Sequence, residues 1–133
     1  MINYDKFKKS LKHLELQFYN YERAEDRTGL NDLDREALAE SVIQRFETCY
    51  DTLWKHLKRY LNEELGLADI PSSPKPLFRL AAENNLLSSP VGQWHTYTDT
   101  RNETAHDYNV EKAAGCQELI PDFLDDAIGL YLL

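Results

Sequence analysis

Apolar residues recur in alternating steps of three and four along most of this chain, and that spacing is the strongest constraint on its fold. The first run comprises Tyr4, Phe7, Leu11, Leu14, Phe18 and Tyr21. Residues three and four apart lie on one side of an α-helix, so the run predicts a first helix of about six turns with one buried face. Segment 26–32, which contains Gly29 and Asn31, predicts the turn that follows.

The second helix is predicted to be the longest, and it carries two apolar stripes. One contains Ala39, Val42, Phe46, Cys49, Leu53 and Tyr60, and the other contains Ile43, Tyr50, Trp54, Leu57 and Leu61. The helix is expected to reach about Leu65 and to end at Gly66. Two stripes require two sets of neighbours. Because one bundle core does not readily cover both, the surplus stripe favours a homodimer with part of this helix and the fourth helix at the interface.

Proline and glycine divide the rest of the chain into three further helices. Segment 71–74, Pro-Ser-Ser-Pro, predicts a rigid connector, and 75–85 predicts a short helix with Pro76 in its first turn. A fourth helix is expected from Val91 to about His106, and a last one from about Val110, with Pro121 predicted to break or kink it. The expected fold is all-α, an up-and-down four-helix bundle with an additional short helix, and residues 1–133 are expected to form a single domain.

The composition indicates a soluble protein. With 133 residues, 42% of them hydrophobic, the chain can bury a sizeable core without a disulfide or a metal. Cys49 and Cys116 fall on apolar stripes and are interpreted as buried thiols in a reducing cytosol, with a disulfide left open. The N-terminal segment begins an amphipathic helix, and no apolar run approaches the length of a membrane span. We therefore expect a cytoplasmic protein with no membrane partner.

The net charge is −8, which opposes nucleic-acid binding because cations that neutralise phosphates supply most of the sequence-independent affinity. The charge is unevenly distributed. Basic stretches occur at Lys6, Lys8, Lys9 and Lys12, and again at Lys55, Lys58 and Arg59. Each stretch taken alone is more often a solvated helix face than a binding site, and we interpret each in that way.

The fourth helix differs from the others because its expected inward face is polar. The positions that a core would use hold Val91, His95, Thr98, Asn102 and Ala105. Buried polar side chains need partners or a role. At about 100° per residue, Asn102 and His106 lie within about 40° of each other, whereas Arg101 and His106 are about 140° apart. Arg101 and His106 therefore converge only if the helix ends near His106 or if the two residues come from different chains.

The end of this helix carries the octapeptide Arg-Asn-Glu-Thr-Ala-His-Asp-Tyr, residues 101–108. A fixed cation, an amide, an imidazole and a phenol are enough for chemistry on a phosphate. Structural roles are also open. Arg101 could pair with Asp99 or Glu103 on its own helix. His106 could be a cation at a helix C-terminus, and Tyr108 a core tyrosine. No grouping of His, Cys, Asp or Glu has the spacing of a metal site, and neither a metal nor a cofactor is expected.

The octapeptide resembles the motif of the HEPN superfamily, small helical proteins of prokaryotic toxin–antitoxin operons. The Tyr that follows the His by two residues matches the branch encoded beside a minimal nucleotidyltransferase, once described as nucleotidyltransferase substrate-binding proteins. Residues 42–47, Val-Ile-Gln-Arg-Phe-Glu, together with Tyr50 and with Leu-Trp-Lys at 53–55, resemble the long second helix of that branch. With the order of the helices, the resemblance covers most of the chain.

The resemblance implies a metal-independent endoribonuclease that forms a homodimer, with the two motifs facing across a cleft. His106 would move a proton between the 2′-hydroxyl and the leaving 5′-oxygen. Arg101 would stabilise the phosphorane, and Asn102 would orient the phosphate or the histidine. RNA such as tRNA would be the substrate, and DNA, which has no 2′-hydroxyl, would not be cut. In relatives that share this tyrosine, Tyr108 here, a partner nucleotidyltransferase antitoxin attaches AMP to it, and the added charge and bulk would block the cleft.

Two classes of function stay open. The chain is either a ribonuclease toxin that its partner silences, or a non-catalytic substrate-binding subunit of a two-component minimal nucleotidyltransferase. The acidity of the chain favours the second class, and Glu103 and Asp107 add negative charge beside the motif. The intact pair of Arg101 and His106 favours the first, because a scaffold needs neither.

Overall fold

The computed structural model describes residues 5–24, 29–106 and 110–131, without the side chains of residues 5, 105, 106, 110–112 and 131. Five α-helices occupy these ranges: α1 (Asp5–Arg23), α2 (Asp32–Arg59), α3 (Pro74–Glu83), α4 (Val91–His106) and α5 (Val110–Tyr131). The four long helices form the bundle, α3 is the additional short helix, and the described ranges contain no β-strand. The all-α prediction is therefore confirmed. None of the described helices is long and apolar enough to cross a lipid bilayer.

Local sequence signals fix both ends of α2. At the start, the Asn31 side chain accepts a hydrogen bond from the Asp34 amide at 2.8 Å, and the Asp34 carboxylate accepts one from the Asn31 amide at 3.1 Å. Beyond the other end, residues 60–64 form one π-helical turn, in which the Leu65 amide donates to the Tyr60 carbonyl. Gly66 then takes a φ of +65°, which ends the helix at the predicted residue.

Both apolar stripes of α2 are largely buried within one chain, and Ala39, Trp54 and Tyr60 are half-buried. One hydrophobic cluster contains residues from all five helices. Phe46 of the first stripe packs edge-on against Phe123 of α5, with ring centroids 4.9 Å apart. Tyr50 of the second stripe packs against Phe78 of α3, at 6.3 Å. The prediction of a surplus stripe is therefore wrong, because the short helix α3 helps to cover the second stripe, and α2 no longer argues for a contact with another copy.

The face of α4 that turns inward differs from the predicted one. Its buried residues are Trp94, Tyr97 and Thr98, whereas Asn102 is exposed. The inward face is rotated by about 70° from the prediction. Trp94 stacks on Phe78 of α3, with centroids 5.1 Å apart, and meets Tyr97 edge-on at 5.3 Å. Two aromatic rings remove more apolar surface from water than the valine and alanine of the predicted face, and this decides the rotation.

Of the two predicted effects of Pro121, a break or a kink, the break is wrong, because helix α5 runs through Pro121. Proline has no N–H and removes one hydrogen bond to the carbonyl four residues earlier. Buried residues nevertheless continue in steps of three and four on both sides of it: Cys116, Ile120, Phe123, Ala127 and Leu130. Packing of this stripe holds the helix together, and Pro121 lies on its exposed side.

A buried carboxylate joins α4 and α5 to the segment that precedes α4. Asp126 accepts hydrogen bonds from Ser88 Oγ at 2.9 Å, from Ser89 Oγ at 2.6 Å and from the Tyr97 hydroxyl. Burial, followed by the hydrogen bond to Asp126, raises the pKa of Tyr97. Three hydroxyl donors satisfy much of the hydrogen-bonding capacity of the carboxylate, which allows it to be buried. The contact fixes the start of α4, and hence the direction in which its last turn projects.

Cys49 of α2 and Cys116 of α5 are buried free thiols, which confirms the predicted burial. Burial raises the pKa of each thiol to about 12, because the thiolate would lose its hydration. Neither sulfur is therefore activated as a nucleophile or as a ligand.

Candidate functional site

Arg101 is held against α2 by two carboxylates. Its Nε and Nη2 groups donate to the two oxygens of Asp51 at 3.2 and 3.0 Å, and its Nη1 group donates to Glu47 Oε2 at 2.8 Å. The contact with Asp51 is bidentate, the geometry in which a planar guanidinium matches a carboxylate. The exposed fraction is 23% for the Arg101 side chain, 20% for Glu47 and 38% for Asp51. We call these three residues the arginine clamp.

Polar contacts continue from the clamp along the junction of α2 and α4. Thr104 Oγ1 lies 3.4 Å from Glu47 Oε2. Thr98 donates to the backbone carbonyl four residues earlier at 3.1 Å, so the Tyr50 hydroxyl is the donor in its 2.6 Å contact with Thr98 Oγ1. Burial raises the pKa of Tyr50 to about 12, which keeps this hydroxyl protonated. In the rotation of α4 that the packing of Trp94 and Tyr97 sets, these polar contacts line the junction and Arg101 faces α2.

The clamp leaves Arg101 charged, oriented and able to donate further. Its hydrogen bonds to Asp51 raise the pKa of Arg101; burial opposes this, and the charges of Asp51 and Glu47 add to it. A guanidinium has five N–H donors. Asp51 and Glu47 take three of them, and no other described residue takes the remaining two. One cation and two anions give the clamp a net charge of −1, so a phosphate must bind against some repulsion.

The partners of Arg101 differ from those that its own helix offers. Asp99 pairs with Lys75 of α3 at 2.6 Å, and Glu103 is exposed. The interpretation in which Arg101 pairs with either of them is therefore wrong. Both carboxylates of the clamp come from α2, at sequence separations of 50 and 54 residues.

The other residues of the predicted site fall at the end of α4. Asn102 follows Arg101 and is exposed, so a molecule in solvent can reach its amide. His106 is the last residue of α4, but its side chain lies outside the described residues, as does the whole of Tyr108. The structure thus brings Arg101 to α2 and leaves the contacts of His106 and Tyr108 as predictions.

Glu47 and Asp51 are functional candidates that the sequence pattern did not single out. They lie one turn apart on α2 and border its apolar stripes. Carboxylates in such a position are half-buried in a bundle and need a cation as a partner. Their position at the border of the stripes is the one sequence signal that could have identified them. Across the described residues, no three His, Cys, Asp or Glu side chains are grouped as a metal site would require.

Comparison with known proteins places this bundle in a family. The family described as nucleotidyltransferase substrate binding protein like matches residues 2–132. The chain belongs to that family. A curated relative, the probable ribonuclease HepT of Haemophilus influenzae, is 31% identical over 126 residues, which cover 88% of this chain and 86% of the relative. The family that the octapeptide and the second helix resemble is therefore confirmed.

Two solved structures share the fold of this family member. One is a Haemophilus influenzae protein whose structure revealed the fold of a substrate-binding domain of a nucleotidyltransferase; it has a TM-score of 0.85 and 27% identity, and the match covers 97% of this chain and 96% of that one. A Thermus thermophilus protein has a TM-score of 0.75 and 29% identity, with 93% and 94% covered. The five-helix arrangement therefore matches these relatives over nearly their whole length.

Proposed function

We propose that this chain is the toxin component of a toxin–antitoxin pair and a metal-independent endoribonuclease. The arginine clamp carries the proposal, because it orients a guanidinium that keeps two N–H donors unused by any described residue, five residues before the histidine that ends α4. The similarity to the probable ribonuclease HepT supports the same activity. In this proposal Glu47 and Asp51 are positioning residues that act through Arg101.

Cleavage uses the RNA's own 2′-hydroxyl as the nucleophile. His106 accepts the proton of that hydroxyl as its oxygen attacks phosphorus, the bond from phosphorus to the 5′-oxygen breaks, and the proton passes to the leaving oxygen. The products are a 2′,3′-cyclic phosphate and a 5′-hydroxyl. Arg101 donates to the phosphorane oxygens, and the exposed Asn102 amide orients the phosphate or His106.

A partner nucleotidyltransferase silences the ribonuclease by AMPylation of Tyr108. The phenol oxygen attacks the α-phosphorus of ATP and pyrophosphate leaves, with the magnesium and ATP held by the partner. The adduct places a negative charge and an adenosine two residues from His106, where they repel and block RNA. Intact-mass spectrometry should find AMP on the wild-type chain and none on Tyr108→Phe, with cleavage falling as AMP is added. Equal labelling of Tyr108→Phe would remove this assignment.

A homodimer completes the site in this proposal, because positions 101 and 106 of a regular helix lie about 140° apart. This angle and the family resemblance support the dimer. The apolar stripes of α2 do not, because packing within one chain already covers most of them. Mixing inactive Arg101→Ala and inactive His106→Ala chains should restore part of the cleavage activity. Light scattering that finds only monomer at micromolar concentration would contradict the dimer.

The alternative function is a non-catalytic substrate-binding subunit of a two-component nucleotidyltransferase. It is favoured by the family description and by the net charge of −1 on the clamp, which disfavours binding of a phosphate. Growth arrest on expression of this chain alone would separate a toxin from such a subunit.

Purified chain incubated with total RNA or tRNA in EDTA tests the ribonuclease proposal directly. Fragments with 5′-hydroxyl ends are expected from the wild-type chain, and none from Arg101→Ala or His106→Ala. Arg35→Ala, which removes an exposed arginine at the start of α2, is the matched control and should cleave normally. Undiminished cleavage by an Arg101→Ala and His106→Ala double variant would show that the motif is not the active site.

A further inference from the structure

Two neighbouring clefts on the face formed by α1 and α2 are lined by cations. The first has a volume of about 470 Å³, and its lining includes Lys6, Lys55, Lys58 and Arg59. The second has a volume of about 330 Å³, and its lining includes Lys6, Lys9 and Arg45. Lys6 and Thr52 line both clefts, so the two clefts adjoin each other. We call them together the cationic groove.

The charge of this groove contrasts with that of the whole chain. The groove holds six of the chain's 15 Lys and Arg residues, although the net charge of the chain is −8. Among the residues that the structure describes, no Asp or Glu lines either cleft. The basic stretches of α1 and α2, which look like solvated faces when taken singly, meet here. Such a concentration of one sign of charge attracts a polyanion.

The dimensions of the groove fit an extended polyanion rather than a single phosphate group. From Arg45 to Arg59 along α2 the rise is about 21 Å. A nucleic-acid strand carries about one charge per 3.4 Å of helix axis, so this length faces roughly six phosphates. Half-buried Trp54 in the first cleft offers an indole for a base to stack on, a combination typical of single-strand binding.

A lipid surface fits this groove less well. The large apolar side chains that are exposed in the described structure are Leu16, Tyr19, Leu33, Leu65 and Ile128. None of them lines either cleft. Membrane-surface binding combines cations with apolar side chains that insert, and here the two are separate.

The groove and the arginine clamp lie on the same helix. Lys58 follows Asp51 by seven residues, which places it about 10 Å further along α2 and within about 20° of the same side. Lys55 lies between the two. Thr48, Thr52 and Arg59 of the groove lie about 60° to 100° around α2 from Asp51. A strand bound along the groove therefore reaches the donors of Arg101 by passing Lys55 and Lys58.

We propose that the cationic groove binds the sugar–phosphate backbone of single-stranded RNA beside the scissile phosphate. The inference rests on the proposed ribonuclease function for its choice of RNA. Lysines and arginines of the groove neutralise the flanking phosphates and so offset the repulsion of the clamp. The groove supplies affinity and register, whereas the octapeptide supplies the chemistry.

The test is RNA binding by a chain that does not cut. Anisotropy of a fluorescein-labelled single-stranded RNA of about 20 nucleotides is followed in the His106→Ala background at several salt concentrations. Each neutralised phosphate contributes about 0.7 to the slope of log K against log salt for a single strand. Lys6→Ala with Lys9→Ala should therefore lower the slope by about 1.4 and weaken binding roughly 10- to 30-fold near 0.1 M salt.

Lys8→Ala with Lys12→Ala is the matched control. These exposed lysines lie on the same helix and line neither cleft, and removing them changes the net charge equally. Lys8 is turned about 160° from Lys6 and about 100° from Lys9, and Lys12 about 120° and about 60°. The control pair should bind RNA as the parent does, and all variants should keep the parent's helix content and Tm. Equal weakening by both pairs, or none by the groove pair, overturns the proposal. Displacement of the RNA by AMP, or preference for phosphatidylserine vesicles over RNA, would also overturn it.

These measurements can refute RNA binding by the groove and RNA cleavage by the octapeptide independently of each other. Single-stranded DNA of the same sequence should bind in the groove and stay uncut, because the groove recognises phosphates and the reaction needs the 2′-hydroxyl. Loss of RNA binding in the groove pair, with no cleavage by the wild-type chain, supports the groove and refutes the ribonuclease. Cleavage with an unchanged KM in the groove pair supports the ribonuclease and refutes the groove.

Discussion

Replacing Asp51 by alanine removes the bidentate half of the arginine clamp. Hydrogen bonds to charged groups contribute about 1.5–3 kcal/mol when they are buried, whereas exposed ion pairs contribute about 0–1 kcal/mol. The side chains of Arg101 and Asp51 are 23% and 38% exposed, so their pair is intermediate between a buried and an exposed one. We therefore expect a coupling free energy of about 1.5 kcal/mol. With an unfolding entropy of about 2.1 cal/mol/K per residue over 133 residues, this corresponds to about 5 °C in Tm.

A double-mutant cycle measures this coupling. Urea unfolding, followed by circular dichroism at 222 nm, gives the free energy of unfolding for the wild-type chain, Asp51→Ala, Arg101→Ala and the double variant. The loss in the double variant should be smaller than the sum of the single losses by about 1.5 kcal/mol, and the difference should shrink in about 0.5 M NaCl.

The pair of Lys75 and Asp99 is the control, since its side chains are 40% and 56% exposed although the contact is shorter, at 2.6 Å. Its coupling should stay below about 0.5 kcal/mol, because solvent screens it and long side chains lose entropy on pairing. If the coupling of Asp51 with Arg101 is no larger than this, Arg101 is not held by α2, and the reasoning from the clamp to an oriented guanidinium fails.

His56 makes stability depend on pH, because burial, followed by the charge of Arg59, lowers its pKa. The unfolded chain then binds a proton that the folded chain does not, so the free energy of unfolding should fall as pH drops below about 6.5; the same slope in His56→Gln would contradict this. Cys49 and Cys116, with pKa values raised to about 12, should resist a thiol reagent at pH 8 until urea unfolds the chain, and rapid native labelling would show that the sulfurs are accessible. Asp126→Asn should lower Tm by about 7 °C in a thermal melt, from a loss of about 2 kcal/mol, and an unchanged Tm would show that the three hydroxyl contacts add no net stability.

The fold was predictable where local chemistry determines it. Apolar residues at steps of three and four predicted the helices, and Gly66 predicted the end of the second one. Both signals depend on a short segment only: the periodicity of the side chains, and a glycine that can adopt the left-handed conformation. Pro121 shows the limit: its local cost is real, yet a stripe buried on both sides of it keeps the helix continuous. The predicted rotation of α4 is also wrong, because the rotation in the structure depends on how Trp94 packs against α3.

The candidate site likewise has one part that the sequence predicts and one part that only helix packing determines. The spacing of Arg101, Asn102 and His106 is local and could be recognised in the sequence. The partners of Arg101 could not, since Glu47 and Asp51 reach it only after α2 and α4 have packed. Lysines of α1 and α2 likewise form one groove through the packing of two helices, and neither stretch signals it alone.

The π-helical turn after α2 has a consequence for comparing sequences in this family. Its hydrogen bond from the Leu65 amide to the Tyr60 carbonyl spans five residues instead of four, so the turn holds one more residue than an α-helical turn of similar rise. A relative with a regular helix there should be one residue shorter before the glycine that ends it. Its alignment should then show a one-residue gap inside a helix, where a gap is normally taken to mark a loop. Here the extra residue changes the helical register after Tyr60 while Leu61 stays in the core.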